Sequence, residues 1–176
     1  MKYTMKSGML CAVGTNQMLA RLKGCFLGSE KKIFTAGNQP TLSTAIREMP
    51  ALAERAGDVR YREYVIFNED GSEYGIARPG YADGDDPDTI GWPVCRMPRV
   101  DHARLTLDGQ EYLLVMHNSQ DYTLSAPTGQ TAVQIIHRGL AGGWDIEADE
   151  RFLPEALCGI FILCRYIEQE NELILV

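Results

Sequence analysis

The chain has 176 residues, 45% of them apolar and 23% charged, with a net charge of −7 and an isoelectric point near 5.0. That length accommodates one domain with a substantial core, and the acidic balance argues against a nucleic-acid binder, whose phosphate contacts need clustered Lys and Arg. Residues 1–62 hold 10 Lys or Arg against 4 Asp or Glu, a balance of +6, whereas residues 63–176 hold 7 against 20, a balance of −13, so a basic edge on an acidic body follows unless folding interleaves the two halves.

In chain order, strand patterns run over 2–6, 18–27 and 31–36, punctuated by Gly24, Gly28 and Gly37. Residues 8–14 (GMLCAVG) are short for a signal-peptide core and are followed by polar residues without a small-residue cleavage site, so they read as mature sequence. Residues 41–57 have helical composition interrupted by Pro50. A short helix is expected from Pro50 to Gly57, and the segment before it is compatible with helix or strand. From Arg62 the β signal sharpens. Residues 64–67 and 73–77 flank Asp70-Gly71, and 102–107 and 110–116 flank Asp108-Gly109, giving two hairpins with Asp-Gly turns. Between them, 79–93 is an Asp- and Pro-rich connection long enough to be a functional insertion. Residues 122–125 and 131–137 form a third hairpin, and 139–143 (GLAGG) turn the chain into a last strand, 144–148. Short strands joined by Gly and Asp turns are what an antiparallel sandwich or barrel requires.

The last element is a helix over 154–171. Residues 156–164 carry no polar side chain, so this helix is apolar on every face and must be buried all round. As a span it would measure only about 14 Å against a hydrocarbon core of about 30 Å, too short to cross a bilayer. Five cysteines (Cys11, Cys25, Cys95, Cys158 and Cys164), with no Cys-x-x-Cys pair, fit a reducing compartment; Cys158 and Cys164 read as small core residues.

The repeated strand-Asp-Gly-strand units, the Trp144-Asp145-Ile146 strand, the Phe152-Leu153-Pro154 entry and the apolar C-terminal helix together resemble the tubby-like superfamily, over roughly 64–171. That group includes the tubby C-terminal domain, the phospholipid scramblases and the LURP-one-related proteins. The resemblance implies a closed, twelve-stranded antiparallel barrel threaded by its hydrophobic C-terminal helix, with 1–176 as one domain. The apolar tail 172–176 departs from the pattern, and neither a cysteine-rich acylation segment nor a scramblase-like calcium pattern is present. Tubby itself binds phosphoinositide headgroups through basic side chains on the barrel surface. The cations available for that role here are Lys23, Lys31, Lys32, Arg60 and Arg62, none of them in the run of four to eight that marks anionic-lipid binding in a sequence.

Catalytic signatures are weaker. His102, His117 and His137 fall in different strands without metal-ligand spacing, and counting outward from Asp108-Gly109 keeps His102 away from His117. Asp83, Asp85, Asp86 and Asp88 lack the EF-hand order of ligands. No nucleophile elbow or phosphate-binding glycine loop occurs; GLAGG precedes a strand rather than opening a helix, and needs only backbone permissiveness. The expectation is therefore a non-enzymatic binding or scaffold module without cofactor or metal. It would be cytoplasmic or peripheral at the membrane, and its partner an anionic lipid headgroup or a protein. The alternative is a small hydrolase or other enzyme using histidine and carboxylates near 79–93.

Overall fold

Inward and outward side chains alternate along a β-strand, so one buried row per strand identifies the core face. The computed structural model describes residues 1–24, 30–49, 58–90, 98–118 and 120–172. Its strands are β1 (Lys2–Lys6), β2 (Met9–Ala12), β3 (Met18–Lys23), β4 (Lys31–Thr35), β5 (Pro40–Glu48), β6 (Arg62–Asn68), β7 (Glu73–Tyr81), β8 (Val100–Leu107), β9 (Gln110–Asn118), β10 (Asp121–Ser125), β11 (Thr131–His137) and β12 (Trp144–Ala148). Each pairs antiparallel with its neighbours in sequence, and β12 returns to β1 with Tyr3 opposite Ile146 and Met5 opposite Trp144. The sheet is thus a closed twelve-strand barrel, which removes the unpaired edges of an open sheet.

Turn chemistry fixes the register. Asp108 and Gly109 both lie at positive φ, 48° and 73°, as a two-residue hairpin turn of this hand requires. Leu107 therefore pairs with Gln110, and His102 falls opposite Val115 rather than His117. The inward rows of β8 and β9 then carry Ala103, Leu105 and Leu107 against Tyr112, Leu114 and Met116, all buried.

The interior is filled by α2 (Pro154–Glu170). Pro154 sits in the first turn, where its missing N–H leaves no bond unmade. Residues 156–164 are all buried, and so are Tyr166 and Ile167. The helix packs against β3, β4, β5, β6, β8 and β9, and Phe161 meets the Trp144 ring of β12 edge-on at 4.9 Å. At Gly159 the backbone passes so close to β6 that a Cβ would lie 2.9 Å from Ile66 Cδ1. Inside the barrel, the Tyr166 and Thr44 hydroxyls share a 2.8 Å hydrogen bond, which satisfies both buried groups.

Several elements differ from the sequence expectation. Residues 9–12 form β2, although their apolar run shows no alternation to mark a strand. The segment before Pro50 is strand β5: Leu42, Thr44 and Ile46 face inward two residues apart, and pairing with β4 and β6 overrides its helix-forming composition. The expected connection 79–93 begins inside β7, which runs on to Tyr81, and contains a single helical turn, α1 (Pro87–Ile90). The expected helix from Pro50 to Gly57 and the tail residues 173–176 lie outside the described residues.

Candidate functional site

Alternation along β3 and β4 builds the site. Ala20 and Ile33 are fully buried inside the barrel, so Arg21 and Lys23 of β3 and Lys32 and Phe34 of β4 face outward. The register sets Arg21 opposite Phe34 and Lys23 directly opposite Lys32. The Phe34 ring lies beneath both neighbouring cations of β3, with Lys23 Nζ 5.0 Å and Arg21 Cζ 5.6 Å from its centroid. That geometry draws the cations onto the negative face of the ring. Like charges directly across a strand pair are destabilising, and among the described residues no carboxylate neutralises this pair. Arg21 Nε is shielded from solvent and has no hydrogen-bond acceptor, an arrangement that costs stability unless an acceptor is brought to it.

Other cations are neutralised. Arg60 donates to Asp58 Oδ2 at 2.6 Å and to Asp88 Oδ2 at 2.7 Å, with Asp86 Oδ1 at 3.3 Å. The hydrogen bonds it donates to Asp58 and Asp88 push its pKa well above the ordinary arginine value. Burial opposes ionisation of the Asp58 carboxyl, but the bonds from Arg60 outweigh it and hold that pKa low. Arg62 donates to Glu48 Oε1 at 3.0 Å and to Glu170 Oε2 at 2.5 Å at the C-terminal end of α2. Burial pushes the Glu170 carboxyl up in pKa, although Arg62 and the Tyr64 hydroxyl pull the other way. Nearby, Arg165 pairs with Glu168 and stacks over Trp144 at 5.4 Å, so its charge reaches the barrel end rather than the core. Among the described residues, the Lys and Arg side chains with neither an ion pair nor a hydrogen-bond acceptor are Arg21, Lys23, Lys32 and Arg104. Two of those four, Arg21 and Lys23, lie over one phenyl ring, and a third, Lys32, stands directly across the strand pair from Lys23.

Of the five candidate cations, the fold brings Lys23 and Lys32 together. Lys31 lies half-buried on the opposite face of β4, opposite Thr44. Arg60 and Arg62 sit in the carboxylate networks just described. Sequence reasoning missed Arg21 and Phe34. The signal for Arg21 was present, since it stands two residues before Lys23 in the expected strand and must share its face.

The three histidines of the hydrolase alternative meet different partners. His102 Nδ1 lies 2.8 Å from Asp101 Oδ1, and its ring covers Gly80 so closely that a Cβ there would be 2.3 Å from Nε2. His117 bonds Thr123, and His137 packs against Trp144. Asp85 accepts the Arg99 backbone N–H, while Asp86 and Asp88 hold Arg60. Among the described residues no group of three or more His, Cys, Asp or Glu side chains is placed to hold a metal ion, and no helix is long and apolar enough to cross a membrane.

Comparison with protein families, curated proteins and solved structures found no match to this chain.

Proposed function

We propose that the chain is a non-enzymatic binding module whose β3–β4 face holds an anionic lipid headgroup. The observation that carries this reading is the unneutralised pair Lys23 and Lys32, set directly opposite each other beside Arg21 and Phe34. Repulsion between them is relieved when a phosphate accepts from both. The Arg21 guanidinium stands on the same outward face, and a guanidinium suits phosphate geometry. A closed barrel of twelve strands around an apolar C-terminal helix also has the strand number and helix placement implied by the tubby-like resemblance, which supports membership of that superfamily.

Flotation with phosphatidylcholine vesicles, with and without phosphatidylinositol bisphosphate, tests the reading. The wild-type protein floats with the phosphoinositide vesicles at low salt and not with neutral ones. Binding falls as salt rises, since the Debye length shrinks to about 8 Å at physiological ionic strength. Lys23→Glu/Lys32→Glu abolishes it. Binding indifferent to that charge reversal, or no binding at low salt, overturns the reading.

A further inference from the structure

The outward row that contains Arg21 crosses four strands. Lys6 of β1 pairs with Met9 of β2, Met9 with Arg21 of β3, and Arg21 with Phe34 of β4. Neighbouring strands lie about 4.8 Å apart, so these side chains form one continuous belt. Lys6 Nζ also donates to the Ala141 carbonyl at 3.0 Å, which ties the belt to the β11–β12 connection, residues 138–143. At the crest of that connection Leu140 is fully exposed, at 110% of its reference area, and Met9 on the belt is 43% exposed.

The connection has a defined shape. Gly139, Gly142 and Gly143 adopt φ of 57°, 67° and 86°, and a Cβ at Gly143 would lie 2.7 Å from the Met5 carbonyl oxygen. The Arg138 N–H donates to the Gly143 carbonyl at 2.9 Å, and the Gly142 N–H to the Gly139 carbonyl at 3.0 Å. Leucine is thus held out from the barrel by a turn that glycine permits and hydrogen bonds close.

We propose that this rim seats the barrel on an anionic bilayer, with Leu140 entering the interfacial layer while Arg21, Lys23 and Lys32 meet lipid phosphates. The proposal rests on the anion-binding reading of the β3–β4 face and adds the surface to which the headgroup belongs. Charge complementarity chooses the occupant: one unneutralised cation, Arg21, lies on the belt that reaches the leucine's connection, and two more, Lys23 and Lys32, form the next outward pair of β3 and β4 beside it. A lone prong with dispersed cations suits a laterally deformable surface. A protein partner would instead need a packed pocket and a buried interface of about 1,200 Å² or more. Full burial of a leucine side chain corresponds to a factor of about ten to a hundred in affinity, and each near-surface cation to about fivefold on an anionic membrane.

The test uses the full chain with phosphatidylcholine vesicles that contain or lack phosphatidylserine. Because Leu140 contacts no core, Leu140→Ser should fold normally yet weaken binding to anionic vesicles by roughly tenfold. Leu113→Ser, at a position of β9 that is 42% exposed and away from this rim, leaves binding unchanged. Leu140→Trp gives fluorescence that lipids brominated in their acyl chains quench beyond the wild-type level, in anionic vesicles only. If Leu140→Ser binds like wild type while Lys23→Glu/Lys32→Glu does not, membrane seating falls and anion binding stands. Equal losses for Leu140→Ser and Leu113→Ser also overturn the seating. Absence of wild-type binding to any vesicle at low salt removes both readings and leaves a protein as the occupant of the rim.

Discussion

Glu63 lies on the outer face of β6, between the inward positions of its neighbours, yet its side chain is only 4% exposed. Arg47 Nη2 and Nε close over one carboxylate oxygen at 2.6 and 3.1 Å, and Arg78 Nε reaches the other at 2.8 Å. Burial opposes ionisation here, and the two guanidinium groups outweigh it, so the pKa is held below its ordinary value of 4.5. The native state therefore binds fewer protons than the unfolded chain in acid. The stabilisation is complete above 4.5 and is lost as pH falls through the lowered folded value. Thermal melts of wild type and Glu63→Gln across acid and neutral pH should show a melting-point gap that is widest near neutrality and closes in acid. A gap independent of pH would mean that the Arg47–Glu63–Arg78 arrangement contributes through packing alone. Glu170 has the opposite sign: its carboxyl is raised, so its ionisation removes stability as pH climbs from the unfolded toward the folded value.

At the scale of elements, the hairpins show why turn chemistry is readable and flat strands are not. Asp108-Gly109 announces both a strand boundary and a register, because only residues that tolerate positive φ fit the turn. Gly109→Val should cost about 1–2 kcal/mol or more through strain in the left-handed region. Gly37→Val should cost little, since Gly37 is not at positive φ and its nearest added contact would be an ordinary 3.7 Å to Thr35 Oγ1. Chemical denaturation of the two variants decides the matter, and equal losses would place the Asp108-Gly109 turn elsewhere. The strands over 2–6 and 144–148 and the helix from Pro154 were legible because each combined a pattern with a boundary residue. β2 was not, because four residues without alternation resemble any apolar stretch. β5 stayed ambiguous because Thr, Ala, Arg and Glu say little about backbone state until two neighbouring strands offer their hydrogen bonds.

For the whole molecule, the buried helix sets the stability. Ile160 and Ile162 project from nearly opposite faces of α2 and both are buried, as is Leu163, which only an enclosing sheet allows. Leu163→Ala should cost about 2–5 kcal/mol, and Leu163→Asp should prevent folding; a Leu163→Asp protein that melted like wild type would refute the enclosed helix. The same three-dimensional closure explains why the site was only half legible. Arg60 and Arg62 look as available in the sequence as Lys23 and Lys32. Asp58, two residues before Arg60, is a local partner, but Asp86, Asp88 and Glu170 stand 26, 28 and 108 residues further along the chain than the arginines they meet. A local reading of charge could subtract the first and not the other three.

Closure through β1 and β12 has a kinetic consequence during synthesis. The strand that seals the barrel and the helix that fills it are the last described elements to emerge from the ribosome, so every earlier strand is made before the object it wraps. Until then the nascent sheet presents two open edges and an uncovered apolar face, the combination that recruits other chains into intermolecular pairing. Joining residues at opposite ends of the sequence is also entropically slow. This fold should therefore depend more on chaperone protection during translation than a helical bundle of equal length, and its yield should respond to translation rate over the stretch of message that encodes β12 and α2.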